Sequence, residues 1–278
     1  MSVKSSALRV SRHVAWRSSR VTTMALDAVR RGDRTITMTP PVGPRFGNWL
    51  YLWLHAYEQS AAGRPTLVLE APGMESWMEV FPALKGLTVR RPDLRFHDRR
   101  EWGEHSLNQR FGVDFPRESL AGFIRFALAA PVTPDRSGPL VVNVRRGDYY
   151  ERPELRERYG FDQVGYITAA LDRFEHVQDV LVVSDDPVWC RAQLDRVLRS
   201  GGASVRYAAP EPVANFLAVC SASRIIGTNS TFSYWAAYVA DEMHPDTQIV
   251  MPRFHSRLPG FEDAHQLDPR WTAIDGFH

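Results

Sequence analysis

Two hydrophobic periodicities alternate along this chain. Short, almost wholly apolar runs bounded by Gly, Pro or charge occur at PLVVNV (139–144), VLVVS (180–184) and TQIVMP (247–252). Such runs predict buried parallel strands. Between them, apolar residues recur every three or four positions in VGYITAALDRF (164–174), PVWCRAQLDRVL (187–198), EPVANFLAVCSAS (211–223) and TFSYWAAYVADEM (231–243). That spacing predicts helices with one buried face. SVRYA and RIIGTNS supply two further strands. The first half repeats the pattern: strands at RTITM, TLVLE and LTVR, a long helix opening near Gly47 and Asn48, and a helix over 117–130. Residues 149–162 read as a polar loop.

Alternating strands and helices predict an α/β fold with parallel sheets. The breaker-rich PVTPDRSGP divides it. The expected organisation is a leader over 1–34, a Rossmann-like domain over 35–130, a linker over 131–138 and a second Rossmann-like domain over 139–278. The two sheets are expected to face a cleft.

Composition narrows the classes. The chain has 278 residues, 44% of them hydrophobic and 24% charged, so it can bury a sizeable core. A net charge of +2 argues against a global basic field for nucleic acid. Lys4 and Lys85 are the only lysines, and arginine carries the remaining positive charge. A GC-rich codon bias explains that imbalance; locally, arginine also suits bidentate contact with phosphate. Cys190 and Cys220 form no CxxC pair and exclude a disulfide scaffold or a Cys/His zinc site. They fit a reducing, cytoplasmic setting. No run approaches the ~18 apolar residues of a membrane span. Residues 1–26 contain no acid and are rich in Arg and Ser. They read as a floppy leader, a transit-like segment or, at most, a peripheral membrane contact.

The pentapeptide VRRGD occurs twice, at 29–33 and 144–148. The first copy precedes the first strand, with Gly32 as a helix stop, and reads as an incidental solvated turn. The second follows PLVVNV directly. Arg145 and Arg146 therefore leave the carboxyl end of a buried strand, the edge where open α/β sheets bind ligands. Asp148 can cap or brace them. Ser184, Asp185 and Asp186 stand at the same edge after VLVV, with Pro187 suited to the first helical position. Thr228, Asn229, Ser230 and Thr231 lie between a strand and a helix, where hydroxyls and free N–H groups hold anions. One residue of each set suffices as a helix cap. Arg145 and the TNST turn together can hold a diphosphate.

Five stretches then resemble one family in order and spacing: PRFGNWLYLWLHAYE (44–58), VVNVRRGDYY (141–150), VGYITAAL (164–171), VLVVSDDPVWC (180–190) and IIGTNSTFSYWAAYVA (225–240). MPRFH…LDPRWTAI (251–274) resembles its closing stretch. The chain resembles the bacterial α-1,2-fucosyltransferases of glycosyltransferase family 11 and, more distantly, protein O-fucosyltransferases and α-1,6-fucosyltransferases. The resemblance implies a GT-B fold, GDP-fucose as donor, a carbohydrate acceptor (a galactoside 2-hydroxyl), inversion, and no metal or cofactor. It implies catalytic roles for Arg145 and Asn48. It carries donor binding to Arg45, Gly47, Asn143, Arg146, Ser184, Asp185, Asn229, Ser230, Thr231 and Phe232. Asp148, Tyr149 and Glu151 are candidates for the acceptor side or the base. Without a metal, arginine and helix-end N–H groups must stabilise the leaving diphosphate.

Two positions depart from the family pattern. Asn143 stands where a histidine is usual, and Trp49 where a glutamine is usual. Asn143 cannot act as a titrating base. Two other readings therefore stay open: a transferase for another nucleotide sugar, or for a protein or natural-product acceptor, and a non-catalytic nucleotide- or glycan-binding module. Trp49 can stack on a sugar face if it reaches the ligand.

Overall fold

A computed structural model describes residues 30–39, 45–102 and 109–278. The expected leader and the loop PPVGP lie outside the described residues, apart from Arg30–Arg34. Contacts divide the chain into two units, one ending before Gln109 and one spanning Gln109–His278.

The first unit holds a four-stranded parallel sheet. Its strands are β1 (Thr35–Met38), β2 (Thr66–Leu69), β3 (Thr88–Val89) and β4 (Arg99–Trp102), in the order β3-β2-β1-β4. Helix α1 (Phe46–Ala61) packs on it. Phe46, Leu50, Trp53 and Leu54 recur at helical spacing and are all buried. A short helix α2 (Glu75–Val80) follows β2; its Trp77 stacks on Phe46 with ring centroids 3.5 Å apart. Strand β4, RREW, was not expected. Its charged residues sit on the sheet's edge, and its backbone pairs with β1 from Thr35↔Arg99 to Met38↔Trp102.

The second unit opens with α3 (Arg117–Phe123), which continues as a wide turn over Ile124–Leu128. Then come β5 (Leu140–Val144), α4 (Gly147–Glu151), α5 (Pro153–Tyr159), α6 (Gln163–Leu171), β6 (Asp179–Ser184), α7 (Pro187–Leu198), β7 (Ser204–Tyr207), α8 (Pro212–Cys220), β8 (Arg224–Ile226), α9 (Thr231–Met243), β9 (Gln248–Pro252) and β10 (Thr272–Ile274). All six strands are parallel, in the order β10-β9-β8-β5-β6-β7. Strand β5 is buried throughout, as its apolar run predicts. Leu140, Val142 and Val144 face one way, into a core shared with Ile167, Ala170, Cys190 and Leu194. Strand geometry then turns Val141 and Asn143 to the opposite face.

Three expectations change. Residues 109–130 belong with the second unit, not the first. Phe123 meets Trp235 edge-to-face at 5.7 Å, and Arg125 pairs with Glu242 at 2.8 Å, so α3 covers α9. The linker 131–138 is anchored to that unit as well: Val132 is buried, and the Asp135 N–H donates to the Ser221 carbonyl. The loop 149–162 contains two short helices. Pro153 occupies the first turn of α5, where its missing N–H is harmless.

The first VRRGD copy takes a different form from its twin. Gly32 donates its N–H to the His97 carbonyl at 2.9 Å, and a side chain there would meet that oxygen at 2.4 Å. The helix it was expected to stop lies outside the described residues.

Candidate functional site

Because β5, β6 and β8 are parallel neighbours, the residues that follow them share one carboxyl edge. Arg145 follows β5. Its Nη1 donates to Asp185 Oδ2 and its Nη2 to Asp148 Oδ1, each at 2.5 Å. Its backbone N–H donates to Thr228 Oγ1 at 2.9 Å, and its carbonyl accepts from Gln163 Nε2 at 2.9 Å. The guanidinium is thus fixed on several sides while its side chain stays 18% exposed. Two of its five N–H donors serve the two acids, which leaves others for a ligand.

Asp185 is held in turn. Its second oxygen accepts the Arg146 N–H at 2.8 Å. Gly147, with φ near +20°, permits this approach: a β-carbon there would lie 2.4 Å from Asp185 Oδ2. Asp186 and Ser184 do the local work at the head of α7. Asp186 accepts from the Trp189 N–H, and Ser184, itself buried, accepts from the Asp186 N–H at 3.0 Å.

Arg146 points into the protein. Its guanidinium lies between the rings of Tyr150 and Trp189, 3.8 and 3.6 Å from their centroids. It donates to Gln163 Oε1 at 3.1 Å, and Asp186 Oδ2 lies 3.6 Å from Nε. Burial draws its pKa below the usual arginine value, against the pull of Tyr150 and Asp186. Arg146 therefore braces the edge rather than presenting a charge to it.

Asn143 is also inward. It is buried, donates to the Val183 carbonyl at 3.2 Å and accepts from the Ser233 hydroxyl at 2.6 Å. The expectation that it contacts the donor does not fit these contacts. Asn229 is wholly buried and donates to the carbonyls of Tyr159 and His255, at 2.8 and 2.9 Å. Ser230 caps α9 by accepting the Phe232 N–H. Thr231 and Phe232 lie partly exposed on the first helical turn, and Phe232 packs edge-to-face on Phe216 at 5.3 Å. The N-terminus of a 13-residue helix thus opens beside Arg145.

Asp148 belongs to Arg145. Tyr149 stacks on Tyr159 at 4.5 Å, and Glu151 is exposed at the end of α4. Gln163 was missing from the sequence reading, and Thr228 was noted only as part of the polar turn, although each holds the backbone of Arg145. Gln163 had no signal beyond its place at the start of a predicted helix.

In the first unit, Arg45 precedes α1, and Gly47 and Asn48 lie in its opening turn. The N–H groups of Asn48 and Trp49 both reach the Arg45 carbonyl. Trp49 is buried beside Gly73, so it does not offer a face for stacking on a sugar. A further polar trio was not anticipated. Glu101 Oε1 accepts from Thr37 Oγ1 at 2.6 Å and lies 3.1 Å from His55 Nε2. Burial raises the Glu101 pKa, but hydrogen bonds from His55 and Thr37 outweigh it and leave the carboxyl below its usual value.

Parallel α/β sheets, with an arginine, a carboxylate and a helix N-terminus converging at one carboxyl edge, define an α/β protein of the Rossmann-like type. The family model "Glycosyl transferase family 11" matches residues 101–267, more than half the chain, and the chain belongs to that family. It is 33% identical over 194 residues to galactoside alpha-(1,2)-fucosyltransferase 1 of Sus scrofa, covering 65% of this chain and 49% of that protein. It is 32% identical over 173 residues to galactoside alpha-(1,2)-fucosyltransferase 2 of Mus musculus, covering 58% and 47%. Galactoside 2-alpha-L-fucosyltransferase SEC1 of Bos taurus is 30% identical over 142 residues, covering 48% and 37%. The chain spans about half the length of these relatives or less. Among the described residues, no helix is long and apolar enough to cross a membrane.

Proposed function

We propose that this protein transfers fucose from GDP-fucose to a galactoside hydroxyl, with inversion and without a metal ion. The observation that carries this reading is Arg145, oriented by Asp148 and Asp185 beside the N-terminus of α9. The bond from fucose C1 to the β-phosphate oxygen breaks, and negative charge gathers on the diphosphate. A preoriented guanidinium and helix-end N–H groups stabilise that charge most where it develops. The acceptor hydroxyl attacks C1 from the opposite face, and its proton must leave. Asp148 is committed to Arg145, which makes Glu151 the carboxylate of choice to receive it. The three relatives named above are galactoside fucosyltransferases, which supports the sugar and the acceptor class.

The inward contacts of Asn143 weaken the case for a different donor, because the departure from the family pattern does not face the ligand edge. Free, buried thiols at Cys190 and Cys220 support a reducing compartment such as the cytoplasm. The test is GDP release from GDP-fucose with EDTA present, comparing wild type with Arg145→Ala. Metal-free turnover by the wild type and a loss of roughly 10²–10³ in the variant are expected. Equal turnover by both, or turnover abolished by EDTA, refutes the reading.

A further inference from the structure

The buried Asn229 serves two segments that are distant in sequence. Its amide donates one hydrogen to the carbonyl of Tyr159, the last residue of α5, and the other to His255, just after β9. Its NH2 group has the two donors this needs; a carboxylate would repel both carbonyls. The Tyr159 ring lies flat on Tyr149, with centroids 4.5 Å apart and planes 13° from parallel. The Tyr149 ring in turn lies 5.4 Å from the Arg145 guanidinium carbon. At the other end, Thr228, the neighbour of Asn229, accepts the Arg145 N–H. The segment from Arg145 to Tyr159 therefore starts and finishes on one turn, at the head of α9.

From this closed ring we propose that Asn229, Tyr159 and Tyr149 form a brace that aims Arg145, so that Asn229 and Tyr159 are positioning residues for the diphosphate-binding arginine. The proposal rests on the reading of Arg145 given above. Thr228 fixes the backbone of Arg145 directly. The Tyr149 ring, stacked on Tyr159, packs beside its guanidinium. A guanidinium that must meet charge developing on a leaving group depends on direction as much as on distance. Loosening α5 should then harm the chemical step more than donor binding.

The test compares Tyr159→Phe, Tyr159→Ala and Asn229→Ala. Tyr159 is half-exposed, and its carbonyl survives either substitution, so these variants should fold even if Asn229→Ala does not. Tyr159→Phe keeps the stack and should stay within about twofold of wild type, whereas Tyr159→Ala should lower kcat roughly tenfold with a much smaller change in donor KM. Amide hydrogen exchange gives an answer that does not need turnover. Tyr159→Ala and Asn229→Ala should speed exchange over residues 145–152 and leave β6 and β7 unchanged. Unchanged exchange and kcat in Tyr159→Ala would overturn the brace, as would equal losses in the Phe and Ala variants. Absence of turnover in the wild type would count against the fucosyl-transfer reading instead, and the exchange comparison would still decide the brace.

Discussion

Asp185 holds the Arg145 guanidinium and the chain just after it with its two carboxylate oxygens, across neighbouring strand ends. The guanidinium of Arg145 donates to one carboxylate oxygen at 2.5 Å, and the N–H that follows it in the chain donates to the other at 2.8 Å. Asp185 was expected to bind the donor; its contacts here orient the arginine. Asp185→Asn keeps the volume and removes the charge. Losing one charge-assisted bond of about 1.5–3 kcal/mol should lower turnover by roughly 10- to 100-fold. GDP release under saturating donor measures this, and a change within about twofold would show that the aim of Arg145 does not depend on Asp185.

Gly147 makes that pairing possible. Gly147→Ala would set a methyl 2.4 Å from Asp185 Oδ2, in a backbone conformation that disfavours side chains. The loop or the acid must move. A loss of about 1–3 kcal/mol of stability is expected, together with weaker GDP binding. Denaturant midpoints and calorimetry check the two separately. A stable variant with unchanged GDP affinity would mean that the loop adjusts freely.

Much of the carboxyl edge of the second sheet was legible because a strand buried on both faces leaves an almost unbroken apolar run. LVVNV announced β5, and its end announced Arg145. The same double burial hid the direction of Asn143: with apolar cores on both sides, sequence cannot say whether position 143 faces a ligand or α9. Arg146 was misread for a related reason. Two adjacent arginines look alike in sequence, but one remains at the surface beside acids, while the aromatic rings of Tyr150 and Trp189 take the other. Strand β4 was missed because backbone pairing at a sheet edge needs no apolar pattern. Helices α4 and α5 were missed because five and seven residues are too few to show a period.

The aromatic sandwich around Arg146 predicts a stability effect rather than a shift in specificity. Arg146→Lys replaces a flat, weakly hydrated cation with a compact, strongly hydrated one that cannot fill the space between two rings. Desolvated cation–π contacts are worth up to about 2 kcal/mol, so a loss on the order of 2 kcal/mol is expected. Chemical denaturation measures it. An unchanged midpoint would remove the brace role given to Arg146.

Asn143→Ala should act on the fold and leave donor choice alone. It strands the Ser233 hydroxyl and exposes a gap between β5 and α9. A cost of about 1–3 kcal/mol follows for the unpaired buried group. A donor screen with several nucleotide sugars is expected to rank them as the wild type does. A changed ranking would restore Asn143 to the ligand side.

His255 gives the second unit a definite acid limit. Burial, with the charge of His265 adding to it, lowers its pKa from 6.5 to about 4. Its Nδ1 lies 3.2 Å from the Tyr234 hydroxyl, and its backbone carbonyl receives Asn229. Folding therefore favours the neutral ring, while the unfolded chain binds a proton below about pH 6.5. The stabilisation from this histidine is fully present above pH 6.5 and falls as the pH drops toward 4. Its size is on the order of 3 kcal/mol across that window. His255→Gln keeps the carbonyl and removes the titration. Melting temperatures from pH 8 to 4 should fall steeply for the wild type below pH 6.5 and less steeply for the variant. Parallel curves would mean that other groups set the acid limit. Because Asn229 bonds to the same residue, the wild-type loss should coincide with faster amide exchange at Tyr159, the far end of the segment that begins with Arg145.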